Sequence, residues 1–144
     1  MSEDVIVFTD GSCLGNPGKG GWAILIIEDN STKEFFGSER TTTNNRMELT
    51  AAINAVKKTK SKKKVKIVTD SKYVKNGIET WINNWKKNNW KTSNKQNVKN
   101  KDLWIELDTL IQKRNINWSW VKGHANNLYN ERVDLLAKNA AEET

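Results

Sequence analysis

Residues 5–12 read Val5-Ile6-Val7-Phe8-Thr9-Asp10-Gly11-Ser12, and this stretch predicts a buried strand that ends in an acid. Residues 5–9 follow the pattern of a strand, and Asp10 closes it. Asp70 follows a second apolar strand pattern, at 65–69, in the same way. Acids placed at strand ends can form a site for a hard divalent cation such as Mg²⁺, which prefers oxygen ligands.

The remaining hydrophobic patterns predict one α/β domain with the element order β-β-β-α-β-α-α-α-β-α. Helical crossovers make strands parallel, so we expect a five-stranded mixed sheet, an antiparallel meander plus two parallel strands, flanked by helices. If strand 4 lies beside strand 1, Asp10 and Asp70 reach the same edge of the sheet. Strands are predicted at 5–9, 22–27, 33–41, 65–69 and 116–121, a turn at 15–21, a first long helix after Asn44, and a short helix broken at Gly77.

Length and composition exclude several classes of protein. At 144 residues, one domain can bury roughly 68–70% of its chain surface without disulfides. Cys13 is the only cysteine, which is typical of a reducing, cytoplasmic location. No apolar run reaches the roughly 20 residues of a membrane span, and the acidic N-terminus does not resemble a signal peptide. We expect no membrane partner, and nothing in the sequence calls for more than a monomer.

The net charge of +7 is unevenly distributed along the chain. Residues 57–66 carry seven lysines and residues 81–101 carry six, with no acid in either segment. Local basicity of this kind is typical of a binding surface for a polyanion such as a nucleic acid. For residues 57–66, between a predicted helix and a strand, a solvated surface run is the competing interpretation.

Two further acids, Glu48 in the first turn of a helix and Asp134 inside the last helix, complete a candidate set of four. Two carboxylates about 4 Å apart repel by roughly 4 kcal/mol at an effective dielectric of 20, and a cation or a proton relieves that cost. Each acid also has a structural explanation: an Asp10-Gly11 turn, a capping box between Asn45 and Glu48, a helix cap at Asp70 and an Asp134–Lys138 pair.

His124 is the only histidine and follows the last predicted strand in a glycine-flanked loop. A single histidine is commonly a surface or packed residue. Ahead of the helix that carries Asp134, it is also placed to transfer protons near neutral pH.

Six motifs together resemble type 1 ribonuclease H, with nearly collinear spacing from about residue 4 to residue 142. They are FTDGSCLGNPG at 8–18, TTNNRMEL at 42–49, TDS at 69–71, WINNWKK at 81–87, VKGHA at 121–125 and NERVD at 130–134. The resemblance implies a ribonuclease H-like fold, with residues 1–144 as the catalytic domain and a basic protrusion at about 81–101.

The activity implied by the resemblance is endonucleolytic hydrolysis of the RNA strand of an RNA–DNA hybrid, leaving 5′-phosphate and 3′-hydroxyl ends. Two Mg²⁺ ions, with Mn²⁺ as an alternative, would flank the scissile phosphate. In the resemblance His124 assists proton transfer or product departure. The implied metal ligands are Asp10, Glu48, Asp70 and Asp134.

The resemblance also implies contacts to both strands of the hybrid. The RNA strand is distinguished by its 2′-hydroxyl groups, and contacts to it are implied for Asn16, Asn44, Asn45, Glu48 and the backbone around Cys13. The DNA strand would meet the channel aromatics Tyr73, Trp81 and Trp85 and the phosphate-pocket residues Thr43, Arg46 and Asn84. The basic protrusion, with Lys86 and Lys87, would help to grip the hybrid. Core packing is the competing interpretation for Trp81 and for Trp85.

Two departures from the family pattern stand out. Lys72 replaces a frequent Gln, and residues 125–130 lack a Gly and a Pro that are common there, which bears on the turnover role of His124. Two other functions compete: a nuclease of the integrase, junction-resolvase or Argonaute type on the same fold, and a catalytically silent hybrid-binding module. The Asn44-Asn45 pair and the basic protrusion favour hybrid cleavage over the first, and the four acids argue against the second.

Overall fold

The computed structural model describes residues 4–123 and 127–144, which form one mixed sheet with helices on both faces. The strand order is β3-β2-β1-β4-β5. Strand β1 is antiparallel to β2 and parallel to β4, β2 is antiparallel to β3, and β4 is parallel to β5. The predicted meander with two parallel strands is confirmed. The strands are β1 Asp4–Cys13, β2 Gly18–Glu28, β3 Ser31–Thr42, β4 Lys64–Thr69 and β5 Asn115–Trp120.

Helices cover both faces of the sheet, and the carboxyl-terminal halves of β1 and β4 are accordingly buried on both sides. Helix α1 packs on the face formed by Val7 and Ile67, together with α4, and α5 packs on the face formed by Phe8 and Val68. Within the described residues, no helix combines the length and the apolar character needed to cross a bilayer. The helices are α1 Asn44–Lys58, α2 Lys72–Asn76, α3 Ile82–Lys87, α4 Lys101–Ile111 and α5 Leu128–Glu142.

The predicted helix break at Gly77 is wrong. Helix α2 continues through a π-helical turn at Gly77–Trp81 directly into α3, and Gly77 keeps right-handed helical angles (φ −62°, ψ −47°). A glycine is needed there for packing, because a Cβ at Gly77 would lie 2.0 Å from the Trp104 ring. Gly77 therefore leaves room for the Trp104 ring and does not end the helix.

Strands β1 and β2 are longer than the hydrophobic pattern predicts. Strand β1 runs through Asp10 to Cys13, paired with β2, whereas its pairing with β4 ends at Phe8. Asp10 thus lies just past the last parallel pair and inside the strand. The glycines from Gly18 to Gly21, predicted as part of a turn, belong to β2. Gly21 allows α5 to pack closely on β2, since a Cβ at Gly21 would lie 2.3 Å from the Ala137 carbonyl oxygen of α5.

Candidate metal and active site

Three of the four predicted acids converge at the centre of the sheet. Asp10 comes from β1, Glu48 from α1, and Asp70 from the residue that follows β4. One carboxylate oxygen from each lies within 4.8 Å of the other two. The parallel pairing of β1 with β4 brings Asp10 and Asp70 together, as the sequence predicts.

Gly11 allows the backbone of α1 to reach this cluster. A Cβ at Gly11 would lie 2.4 Å from the Glu48 nitrogen and 2.5 Å from the Met47 carbonyl carbon. The helix begins after Thr43, whose hydroxyl accepts a hydrogen bond from the Arg46 backbone nitrogen (3.3 Å). Glu48 is therefore not part of a capping box with Asn45 and lies just beyond the first turn. Its side chain is free to face Asp10.

Burial and mutual repulsion perturb both inner acids, since Asp10 and Glu48 are only 3% and 6% exposed. Burial raises the pKa of Asp10 to about 9, with further contributions from the charge of Asp70 and from a hydrogen bond and charge at Asp134. The Gly11 N–H donates to Asp10 (2.9 Å) and opposes this rise. Burial and the charges of Asp10 and Asp70 likewise raise the pKa of Glu48 well above its usual range.

The cluster fits a divalent metal ion. Its donors are all carboxylate oxygens, which suit hard cations such as Mg²⁺. The Oε1 atom of Glu48 is buried and has no hydrogen-bond partner among residues 4–123 and 127–144, although buried polar atoms are rarely left unpaired. A cation bound by these oxygens would satisfy that atom and relieve the repulsion that raises both pKa values.

We expect the metal-free protein to lose stability as pH rises from about 4 towards 9. The pKa of the Asp10 carboxyl is about 9 in the folded protein, against an ordinary value of 3.8. In this window the folded state therefore binds more protons than the unfolded state, and alkali favours unfolding. Denaturant titrations in EDTA at several pH values measure this slope. The Asp10→Asn variant should show a flatter slope, and an equal slope in both proteins would contradict the assignment.

Asp134 lies beside Asp10 but outside the group of three. Its hydrogen bond and charge contribute to the raised pKa of Asp10, while its Oδ2 is 3.0 Å from the Lys138 ammonium. The predicted i,i+4 pair within α5 is therefore present. Lys138, which the i,i+4 spacing predicts only as a helix-stabilising partner of Asp134, therefore lies beside the site.

The Asp70 backbone is anchored by Trp120, and the Asp70 side chain lies close to Gly123. The Trp120 indole nitrogen donates to the Asp70 backbone oxygen (3.1 Å), and a Cβ at Gly123 would lie 3.1 Å from Asp70 Oδ2. The cap of α2 is Ser71, whose hydroxyl accepts from the Val74 nitrogen (3.2 Å), so the helix-cap explanation for Asp70 is wrong. His124, the residue after Gly123, lies outside the described residues.

The residues predicted to contact the RNA strand come together near the start of α1. Asn16 accepts a hydrogen bond from the Asn44 backbone nitrogen (3.1 Å), which joins the loop between β1 and β2 to the helix that carries Glu48. The Cys13 thiol donates to the Gly15 carbonyl in the same loop. Asn44 is exposed and Asn45 is half-buried.

The predicted channel aromatics rest on a tryptophan that the sequence analysis missed. Tyr73 and Trp81 are 5.8 Å apart between ring centroids, as are Trp81 and Trp85, and all three are half-buried. Trp104, fully buried on α4, lies 5.4 Å from both Tyr73 and Trp85. The helical spacing of residues 104, 107 and 111 was the available signal. Tyr73, Trp81 and Trp85 therefore pack against one another and also keep part of their surface exposed.

The predicted phosphate-pocket residues have separate partners. Thr43 caps α1, and Arg46 makes a two-point ion pair with Asp102 of α4. Asn84 is exposed on α3. In the described part of the chain, no hydrogen bond or ion pair joins Asn84 to Thr43 or Arg46.

The basic run at 57–66 is partly neutralised by contacts with neighbouring elements. Lys57 pairs with Glu106 (2.9 Å) and Lys62 pairs with Glu28. Lys58 lies over the Phe35 ring. These contacts support the interpretation of this run as surface charge more than as a nucleic-acid footprint.

The protrusion contains both paired and exposed lysines. Lys86 lies 3.3 Å from Asp108 and Lys91 donates to Asn97 (2.7 Å), while Lys87 is exposed. The loop between α3 and α4 is anchored by the buried Val98, whose nitrogen donates to the Trp90 carbonyl (3.0 Å). The lysines of this loop therefore lie at the surface of a segment that is anchored to the protein core by Val98.

The sheet order and the carboxylate cluster at its centre define the ribonuclease H-like class of folds. A family model described as RNase H matches residues 2–142. The chain belongs to the RNase H family, as a bacterial-type, single-domain type 1 member and hence a nuclease.

Relatives resemble this chain over nearly its whole length. Ribonuclease HI of Neisseria meningitidis serogroup B is 55% identical over 141 residues, covering 98% of this chain and 97% of the relative. Ribonuclease H of Francisella tularensis subsp. novicida is 55% identical over 139 residues, covering 96% and 91%.

Solved structures show the same fold. LC9-RNase H1, a type 1 RNase H with the type 2 active-site motif, has a TM-score of 0.86 and 32% identity, covering 97% of this chain and 72% of the other. LC11-RNase H1, solved in complex with an RNA/DNA hybrid, has a TM-score of 0.73 and 21% identity, covering 96% and 97%.

Proposed function

We propose that this chain hydrolyses the RNA strand of RNA–DNA hybrids, with residues 1–144 forming one catalytic domain. The observation that carries the proposal is the convergence of Asp10, Glu48 and Asp70 within 4.8 Å in a chain of the RNase H family. The fold shared with LC11-RNase H1, whose structure contains an RNA/DNA hybrid, supports the choice of substrate.

The metal site would comprise Asp10, Glu48 and Asp70, with Asp134 as the fourth ligand. Bound there, two Mg²⁺ ions, or Mn²⁺ as the alternative, would supply Lewis acidity for water activation and for the leaving oxygen. Water attacks phosphorus and the bond to O3′ breaks, which leaves a 3′-hydroxyl and a 5′-phosphate. His124 would assist proton transfer or product departure.

The RNA strand would lie against the start of α1, where Cys13, Asn16, Asn44 and Asn45 come together. Side-chain amides both donate and accept hydrogen bonds, and so does the 2′-hydroxyl that distinguishes RNA from DNA. The contact between Asn16 and Asn44 (3.1 Å) supports one recognition surface beside Glu48.

The DNA strand would cross α2 and α3. Half-buried aromatic rings offer a surface for sugars and bases, and basic side chains neutralise phosphates. The proposed contacts are Tyr73, Trp81 and Trp85 in the channel, Thr43, Arg46 and Asn84 at a phosphate, and Lys86 and Lys87 on the protrusion.

A substrate comparison tests this function. End-labelled RNA–DNA hybrid, double-stranded RNA and duplex DNA are incubated with Mg²⁺ and the wild-type protein. We expect cleavage of the hybrid's RNA strand only, with 5′-phosphate and 3′-hydroxyl ends verified by mass spectrometry. Hybrid binding without cleavage would support the silent binding module, and cleavage of duplex DNA would support another nuclease class.

We further propose that the protein acts as a cytoplasmic monomer. The single cysteine, Cys13, suits a reducing compartment, and the candidate site is assembled from residues of one chain. Sedimentation at working concentration with and without hybrid tests the monomer, and a stable dimer would contradict it.

Replacing Lys86, Lys87 and Lys91 by Ala should weaken hybrid binding and flatten its dependence on salt. Each phosphate contact contributes about 0.9 to the slope of log affinity against log salt. If one to three of these lysines contact phosphates, the slope of the triple variant should be smaller by about 0.9 to about 2.7. Fluorescence anisotropy in EDTA over a salt series measures the slope without cleavage.

A control for this prediction is the triple variant Lys33→Ala, Lys60→Ala and Lys64→Ala. It removes the same charge from exposed positions outside the protrusion. Its slope should remain close to that of the wild type. Equal flattening in the two variants would show that total charge, and not the protrusion, governs binding.

A further inference from the structure

Arg46 is already engaged by an acid in the free protein. It lies two residues before Glu48 in α1, and its guanidinium makes two hydrogen bonds to Asp102 in the first turn of α4. The Nη1–Oδ1 distance is 3.0 Å and the Nη2–Oδ2 distance is 2.8 Å. A guanidinium binds two phosphate oxygens in this same forked geometry, so the carboxylate occupies the place that a phosphodiester would take.

The ion pair is open to solvent on the acid's side. The Asp102 side chain is 65% exposed and that of Arg46 is 32% exposed. Exposed ion pairs contribute little to stability, so a bound polyanion can displace this carboxylate.

A second contact would keep Arg46 in place once Asp102 leaves. Arg46 Nη1 lies 3.3 Å from Asn100 Oδ1, and the Asn100 amide donates to the Tyr73 hydroxyl (3.0 Å). The same hydroxyl accepts from the Trp104 indole (2.9 Å). The guanidinium is thus tied to the aromatic cluster that would line the DNA channel, independently of Asp102.

We propose that Asp102 is an internal competitor for Arg46, and that a phosphate of the bound hybrid displaces its carboxylate from the guanidinium. This inference rests on the proposed function, because the displacing phosphate belongs to the hybrid. The Arg46–Asp102 pair therefore limits the affinity for the hybrid, because breaking it offsets part of the binding free energy of that phosphate. Asp102 then remains as a negative charge near the bound strand.

The test compares Asp102→Asn with wild type for binding of a labelled RNA–DNA hybrid in EDTA. The variant should bind about two- to five-fold more tightly, the range expected when an exposed ion pair no longer has to be broken. The gain should persist across a salt series, because Arg46 contacts the phosphate in both proteins and the number of phosphate contacts, which sets the slope of log affinity against log salt, is unchanged. A pair that the hybrid leaves intact would give no gain beyond the loss of one negative charge, which the control below measures.

Glu106→Gln is the matched control on the same helix. It removes one negative charge from α4 and releases Lys57 instead of Arg46. Lys57 lies 11 residues further along α1, about 16 Å away at a rise of about 1.5 Å per residue. If Asp102→Asn binds no more tightly than Glu106→Gln, the proposal is overturned.

A double-mutant cycle connects the effect to Arg46. In an Arg46→Ala background, Asp102→Asn should give no gain beyond that of Glu106→Gln, because the contested guanidinium is gone. A full gain in that background would overturn the proposal. Loss of hybrid binding by the wild-type protein itself would instead overturn the proposed function, so the two failures are distinguishable.

Discussion

Replacing Asp10 by Asn is expected to reduce cleavage of the hybrid's RNA strand by at least about a thousandfold. Asp10 lies in the centre of the carboxylate cluster, in contact with Asp134 and close to Glu48 and Asp70. Lewis-acid stabilisation by a metal ion is worth several kcal/mol, and each 1.4 kcal/mol, approximately, is tenfold in rate. Initial rates at saturating Mg²⁺ measure the loss.

The fold should survive this change. With a pKa of about 9, the metal-free Asp10 is largely protonated at neutral pH, and a neutral Asn of similar shape replaces it without adding a buried charge. Thermal unfolding in EDTA should therefore be close to that of the wild type. The rise in melting temperature that Mg²⁺ gives the wild type should shrink, since binding to the folded state stabilises it.

Asp29→Asn is the matched control for Asp10→Asn. Asp29 is exposed in the turn between β2 and β3, with a φ of 55° that Asn also tolerates. Its activity and its response to Mg²⁺ should equal those of the wild type. If Asp10→Asn retains more than a tenth of wild-type activity, the metal-ligand role of Asp10 is wrong.

Replacing Gly11 by Ala should lower both the free energy of unfolding and the Mg²⁺-dependent activity. The new Cβ would lie 2.4 Å and 2.5 Å from backbone atoms of Glu48 and Met47, and backbone cannot rotate away as a flexible side chain can. Overpacking typically costs about 1–3 kcal/mol, and we expect the upper end, about 3 kcal/mol, in the free energy of unfolding. Moving α1 away from β1 also separates Glu48 from Asp10.

Denaturant unfolding and Mg²⁺-dependent activity of Gly11→Ala measure the two effects. Gly15→Ala is the control, because its nearest neighbour would be 3.0 Å away, in an exposed loop, and it should cost less than about 1 kcal/mol. If Gly11→Ala is as stable and as active as Gly15→Ala, close contact between α1 and β1 is not what positions Glu48.

The element order was enough to predict how Asp10 and Asp70 could meet. A helical crossover makes strand 4 parallel to strand 1 if the two are neighbours, and both acids then reach the same edge of the sheet. The structure shows that pairing. Local pattern predicts such features well because burial and periodicity act along the chain.

Features that depend on distant neighbours were missed or misjudged. Gly77 resembles a helix breaker in isolation, and only the Trp104 ring of a helix more than twenty residues away explains it. The pairing of Arg46 with Asp102, 56 residues apart, has no signal in the spacing of either residue. Such contacts arise from how α1, α2 and α4 pack together.

The order of polar and apolar residues was enough to predict the mixed sheet, and the six motifs that resemble type 1 ribonuclease H indicated the family and its acids, because periodicity and residue chemistry are properties of the chain itself. The tertiary structure decided which acids share a pocket, that Glu48 Oε1 is buried without a described partner, and that Asp134 and Arg46 are each held by an oppositely charged side chain. These are matters of distance and desolvation, which exist only once the elements have packed.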